Sequence, residues 1–244
     1  MKKLFLLLTL NVFLFASQVI ELAGDKDYPP YSYSEKGVAK GVYVDIIKAL
    51  FAKIDAYDVH FNMMAWKKAQ VMVRKGKIVG FFPPYYSKER TKWTKFSKPI
   101  LNEKAVIFAN EDFMKGKTKF PEDFYGKRVC LNRGFTPQVM GGEVFAKAVK
   151  SKKIILVETS GNSDCLNRVK RDMVDFYIND QLIDISKFNT IKRGLAVRLN
   201  TGHIGFTLNI KKYPFVNELE TKVNKAIEQM KNSGEIDKIL KKYK

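Results

Sequence analysis

The sequence predicts an α/β fold of two similar lobes, and three observations carry the expectation. Strand-like and helix-like hydrophobic patterns alternate along the chain, as they do where helices cross over between strands of one sheet. The alternation starts afresh at Phe124, giving a second cycle like the first. The 244 residues, 45% of them hydrophobic, suffice for one large domain or two small ones.

Taken in order, V-I-E-L-A-G from Val19 reads as a short strand that opens into the Pro-rich, aromatic loop D-K-D-Y-P-P-Y-S-Y. Between Gly41 and Ile54, Val44, Ile47, Leu50, Phe51 and Ile54 fall on one face of a helix. Asp58 to Met64 is a strand, Trp66 to Lys75 an amphipathic helix, and I-V-G-F-F-P-P-Y-Y an apolar run after it. A-V-I-F-A-N-E-D, from Ala105, is a strand connecting the two cycles. In the second cycle Arg128 to Leu131 is a strand ending in a Gly turn, followed by a helix through Phe145 to Val149. Ile154 to Glu158 is then a strand, Ser163 to Arg171 a helix, and Val174 to Asp180 a strand. Val216, Leu219, Val223, Ile227 and Met230 share one face of a C-terminal helix that Gly234 stops, and a short helix from Glu235 to Tyr243 closes the chain.

The first residues show a basic start at Lys2 and Lys3, an apolar run from Leu4 to Phe15, and the small residues Ala16 and Ser17. That is the plan of a secretory signal peptide over residues 1–17, cleaved near Ala16 or Ser17, since the run is short for a bilayer span. An uncleaved N-terminal anchor is the alternative. No Cys follows the run, so an exported protein free in its compartment is expected. The net charge of +19, or +17 without the two leader lysines, would suit nucleic acid, an anionic membrane or an acidic polymer. The lysines, however, are scattered over the polar faces of apolar patterns, with no nucleic-acid-reading motif around them. A solvated surface is expected, and no nucleic-acid partner.

Cys130 and Cys165 are the only cysteines, and in an oxidising compartment they read as a disulfide contributing about 3 to 4 kcal/mol by loop closure. Two buried thiols are the alternative. Metal binding is disfavoured because the only histidines, His60 and His203, lie far away without ligand spacing. There is no G-x-S-x-G, H-E-x-x-H, P-loop or G-x-G-x-x-G, so neither a cofactor nor a catalytic residue is expected. His60 reads as a packed or edge histidine within a strand, and His203, in T-G-H-I-G, as structural.

What stands out is the residue type at strand ends, where open α/β sheets bind ligands. Asp25 with Tyr28, Tyr85 with Arg90, Thr136, and Asp180 occupy those positions. One cation, an anion, a hydroxyl and aromatics suit a zwitterion. Arg90 stands among basic residues that are mostly lysine, and its planar fork grips a carboxylate with two parallel hydrogen bonds where lysine offers a point charge. A surface pairing of Arg90 with Glu89 or Glu103 is the competing reading, and Tyr28, Tyr31 and Trp66 equally suit a core.

These features occur in a longer order of motifs. D-K-D-Y-P-P-Y-S-Y is followed by K-G-V-Y-V-D-I-I-K-A-L and S-K-E-R-T-K-W-T-K-F-S-K-P-I. Y-G-K-R-V-C-L-N-R-G-F-T, M-V-D-F-Y-I-N-D and the ending N-S-G-E-I-D-K-I-L-K-K-Y come after them. In that order and spacing, across nearly the whole mature chain, the sequence resembles family 3 of the bacterial extracellular solute-binding proteins. These are type II periplasmic binding proteins serving polar amino acid ABC importers. The resemblance implies a two-lobed type II fold, each lobe a mainly parallel sheet flanked by helices, with the ligand cleft between lobes. It places lobe one at about residues 18–107 and 203–244 and lobe two at 108–202.

By the same resemblance Arg90 clamps the ligand α-carboxylate with help from Thr136, and Asp180 receives the α-amino group. Tyr28 covers the ligand side chain and Trp66 forms another wall. Asp25 matches an acid that reaches a cationic side chain in some relatives and also occurs in binders of neutral ligands. The chain departs from the family at F-F-P-P-Y-Y, where Tyr85 replaces a small hydroxyl residue that would contact the amino group and Pro83 and Pro84 stiffen the segment. That departure bears on which ligand is bound. A monomeric periplasmic protein is expected, closing a hinge over a small zwitterion, most simply an amino acid, for an inner-membrane ABC permease. Two alternatives on the same fold are a ligand-sensing partner of a membrane signalling receptor and a dehydratase-type enzyme.

Overall fold

Two separate five-stranded sheets organise the chain in the computed structural model, which describes residues 17–243. The expected leader therefore lies outside the described residues, apart from Ser17. The first lobe opens with β1 (Gln18–Asp25), whose apolar side chains Ile20, Leu22 and Ala23 are buried. Where the sequence suggested only a loop, the chain makes a small antiparallel meander of β2 (Asp27–Tyr28), β3 (Ser32–Glu35) and β4 (Val38–Lys40). Next come α1 (Val42–Phe51), β5 (Tyr57–Met64), α2 (Trp66–Arg74), β6 (Gly80–Phe82) and β7 (Thr94–Phe96). Val44, Ile47, Leu50 and Phe51 of α1 are buried as their helical spacing requires.

The second lobe runs through β8 (Leu101–Asn110), α3 (Glu111–Met114), β9 (Arg128–Asn132), α4 (Pro137–Lys150), β10 (Ile155–Thr159), α5 (Asn162–Lys170), β11 (Phe176–Asp180) and β12 (Ile191–Gly202). The chain then returns to the first lobe as β13 (Gly205–Thr207), α6 (Val216–Asn232) and α7 (Glu235–Leu240). The five residues that mark one face of α6 are all buried. The sheet orders are β5-β1-β6-β13-β7 and β10-β9-β11-β8-β12. Each is mixed: β1 pairs in parallel with β5 and β6, and β9 with β10 and β11, whereas β13 and β8 lie antiparallel to their neighbours.

β8 and β12 pair along nearly their whole length, from Leu101 opposite Gly202 to Asn110 opposite Ile191. Residue 108, expected as the start of the second lobe, lies inside β8. Cys130 of β9 and Cys165 near the start of α5 are disulfide-bonded, with Cα atoms 5.6 Å apart. His60 is exposed on the edge strand β5. His203 is buried, its ring bonded to the Ser97 carbonyl and the Thr201 hydroxyl, each at 2.8 Å.

Candidate functional site

The carboxyl ends of β1, β5 and β6 in one lobe and of β9 and β11 in the other meet at the crossing between the two sheets. β1 ends in Asp25, and the turn after β5 delivers Trp66 at the start of α2. The segment after β6 delivers Pro83, Tyr85 and Arg90, which with Asp25, Tyr28 and Trp66 form the first lobe's wall of a cavity. Phe135, Val139 and Met140, after β9 and in α4, form the second lobe's wall. The space left is about 20 Å³, room for a single water molecule. That space is too small for an amino acid.

Arg90 is 5% exposed, and none of the ion pairs among the described residues includes it. Its Nη1 donates to the Tyr85 carbonyl at 2.8 Å, and its guanidinium lies 5.9 Å from the centre of the Trp66 ring. Trp66 in turn stacks on Phe81. Burial lowers the Arg90 pKa to about 10, so the group remains cationic near neutrality. A buried cation without a carboxylate partner calls for an anion. This placement disposes of the surface pairing with Glu89 or Glu103.

Asp25 faces the same cavity and is buried, accepting from the Asp27 amide at 3.1 Å. Burial raises its pKa to about 7. Tyr28 lies between the two lobes, with its ring 5.8 Å from Phe135 edge-on and its hydroxyl 2.8 Å from that of Tyr85. Gly134, at a positive φ of 92°, lets the turn after β9 approach α2, where its carbonyl accepts from Gln70 at 3.3 Å.

Two sequence-derived residues stand apart from the cavity wall. Thr136 is half-buried at the N-terminus of α4, where its carbonyl accepts from the amides of Val139 and Met140, while the neighbouring Phe135 lines the cavity. Asp180, fully buried, lies behind the tyrosines and accepts the Tyr31 hydroxyl and, at 2.9 Å, the Leu182 amide. Burial raises its pKa to about 6.

The largest departure from the sequence reading is Glu103, a buried acid that takes hydroxyls from Tyr28 at 3.3 Å, Tyr85 at 2.6 Å, and Tyr43. Burial, reinforced by the charge of Asp180, raises its pKa to about 8. A signal existed in L-N-E-K-A, because Glu103 falls on the same alternate phase of its strand as the buried Leu101 and Ala105. Arranged in this way, the site can hold a carboxylate at Arg90 and a cation at the acids.

Among known proteins, two relatives from Bacillus subtilis (strain 168) are similar in sequence. The probable amino-acid-binding protein YxeM is 25% identical over 88% of this chain and 79% of its own. The arginine-binding extracellular protein ArtP is 26% identical over 89% and 82%. Among solved structures, a histidine kinase sensor domain with similarity to periplasmic binding proteins superimposes with a TM-score of 0.78 at 19% identity, covering 93% of this chain and 96% of that one. A structure from work on glutathione import through GshT and the cystine ABC importer TcyBC of Streptococcus mutans does so with 0.78 at 21%, covering 93% and 95%. These likenesses establish the type II periplasmic binding protein fold. Among the described residues no helix is long and apolar enough to cross a membrane. Residues 20–244 match the family of bacterial extracellular solute-binding proteins, family 3, and the chain belongs to it.

Proposed function

We propose that this protein captures a small zwitterionic solute, an amino acid, between its lobes in the periplasm and presents it to an inner-membrane ABC importer, without chemical turnover. Arg90 carries the reading: a buried, unpaired guanidinium backed by the Trp66 ring, in a cavity walled from both lobes. Its planar fork suits a carboxylate. The amino-acid-binding and arginine-binding descriptions of the two relatives support the solute class. A larger cavity of about 180 Å³ shares Asp25, Trp66 and Phe135 with the first, and Lys26, Lys67 and Arg133 at its edge would favour an approaching carboxylate.

In this reading the two strands that cross between lobes, near Leu101 and Gly202, are the hinge, and closure removes water from the solute's charges. A thermal-shift screen of the mature protein against the common amino acids, other small zwitterions and dipeptides tests it. A selective rise in Tm that disappears in Arg90→Ala is the expected result, because a ligand that binds only the folded state stabilises it by mass action. No shift with any zwitterion, in wild-type protein shown to be ligand-free, overturns it.

A further inference from the structure

Two acids lie side by side at the crossing between lobes, and the roles expected from sequence use one of them. Asp180 closes β11 opposite Ala105 of β8, and Glu103, two residues along β8, lies on the same face of the sheet. Four tyrosine hydroxyls serve them: Tyr28, Tyr43 and Tyr85 on Glu103, and Tyr31 on Asp180 Oδ1. Asp180 is fully buried, yet its Oδ2 has no hydrogen-bond partner among the described residues. Neither acid belongs to an ion pair there. The guanidinium of Arg193, which acts on Asp180 through space, donates to the carbonyls of Gln181 and Ile183 at 2.8 and 2.7 Å.

The cluster therefore lacks one positive charge and one donor. An ammonium supplies both. Tyr28 and Tyr85 also wall the Arg90 cavity, so the acids stand one ring behind the place where a carboxylate would sit. The crowding is built in at Gly202, where a Cβ would stand 1.6 Å from the Tyr43 hydroxyl oxygen and 2.6 Å from Glu103 Oε1.

We propose that Glu103 is a second acid of an ammonium subsite: with Asp180 it forms a buried acid pair that holds one proton in the empty protein and exchanges it for the solute's ammonium. The inference rests on the solute being a zwitterion gripped by Arg90. On entry the Tyr31 hydroxyl yields its place on Asp180, the ammonium takes it, and the displaced proton leaves to solvent, so charge balances. Burial, with the charge of Asp180, holds Glu103 near 8, and burial holds Asp180 near 6, which leaves the pair one proton near neutrality. The groups facing the pair are Tyr28 from β2, Tyr31 from the turn after it, Tyr43 from α1, Tyr85 after β6, and Arg193 from β12. Asp25 opens on the adjoining cavity and titrates in the same range, so the test compares proteins that both keep it.

The probe is the tightest amino acid from the thermal-shift screen, with its des-amino carboxylate for comparison. Calorimetry at pH 7 in two buffers of different protonation enthalpy counts protons in the wild type and in Glu103→Gln. We expect close to one proton more released per amino acid by the wild type than by the variant. Wild-type affinity should rise more steeply with pH between about pH 6 and 8, by about tenfold per unit, than that of the variant. The des-amino carboxylate should bind at least about 100-fold more weakly and release one proton fewer. Should Glu103→Gln not fold, the difference in proton count and pH slope between the amino acid and its des-amino carboxylate on the wild type decides alone. Binding that needs Arg90 but shows no proton release and no pH slope overturns this inference and leaves the carboxylate reading standing. So does a des-amino carboxylate that binds as tightly as the amino acid. If no amino acid binds wild-type protein, the zwitterion reading fails and this one with it.

Discussion

At one end of the site Arg90 carries a lone charge held by a backbone carbonyl and an indole face, whereas at the other, behind the cavity's tyrosines, Glu103 and Asp180 share four tyrosine hydroxyls. Burial acts on both ends with different results. The guanidinium, lowered only to about 10, keeps its charge throughout the physiological range. The acids, raised to about 8 and about 6, change theirs within it. A cation and a carboxylate suffer comparable loss of water on burial, but arginine starts so far from neutrality that the loss leaves its protonation unchanged. The Arg90 end is thus constant and the acid end adjustable.

Removing the constant end should have the largest effect. Arg90→Ala is expected to weaken solute binding by at least about 100-fold, near 3 kcal/mol, and Arg90→Lys by about tenfold, because lysine keeps the charge and loses the fork. Titration calorimetry measures both. If Arg90→Lys binds like wild type, bidentate geometry is not what distinguishes this end.

Gly202→Ala attacks the other end by steric means. The new methyl would meet the hydroxyl of Tyr43, a fully buried ring, and the Glu103 carboxylate, and urea unfolding should show a loss of about 2 to 3 kcal/mol. Unchanged stability would mean the tyrosine-acid cluster can shift aside at little cost.

Stability of the ligand-free protein against pH sharpens the contrast. Glu103 has a folded pKa above its unfolded value, so its contribution is fully present below about pH 4.5 and is lost as pH rises through about 8. Glu103→Gln keeps a neutral group there, and should therefore gain on wild type by about 3 kcal/mol between pH 5 and pH 8 in urea unfolding. Arg90→Ala should show no such divergence from wild type over that range.

The smallest effect belongs to Tyr31→Phe, which removes the hydroxyl that, in the proposed exchange, an arriving ammonium displaces from Asp180. Solute affinity should rise by about threefold to tenfold, under about 1.5 kcal/mol. A fall would show that the hydroxyl assists the bound solute instead of competing with it.

Much of the frame was legible because it rests on periodicity. The faces of α1 and α6 follow from apolar spacing, and β1, β5, β9 and β11 from apolar runs bounded by turns. β12 escaped because I-K-R-G-L-A-V-R-L-N-T-G is mostly exposed or half-buried, and its strand character comes from pairing with β8, a long-range contact that local sequence does not record. α4 was seen only in its last turns because Gly141 and Gly142 interrupt the pattern, and Gly142 indeed sits at a φ of 87°.

In the site, Arg90, Asp25, Tyr28 and Tyr85 come together on one cavity as their strand-end positions suggested, with Trp66, which the family resemblance had singled out, beside them. Glu103 entered the sequence reading only as a possible surface partner of Arg90, since nothing local reveals that three tyrosines from distant segments converge on it. Tyr31 had no distinguishing mark in a loop already rich in aromatics, and its partner lies 149 residues away.

Tyr85 touches both ends at once: its carbonyl holds Arg90 and its hydroxyl rests on Glu103. Backbone and side chain of one residue thus form a tie rod across the cleft, and Pro83 and Pro84 restrict the backbone just before it. Both ends lean on this one residue, so in the proposed role their energies should not add, and a change of protonation at the acid should be felt in the hold of the guanidinium on a carboxylate.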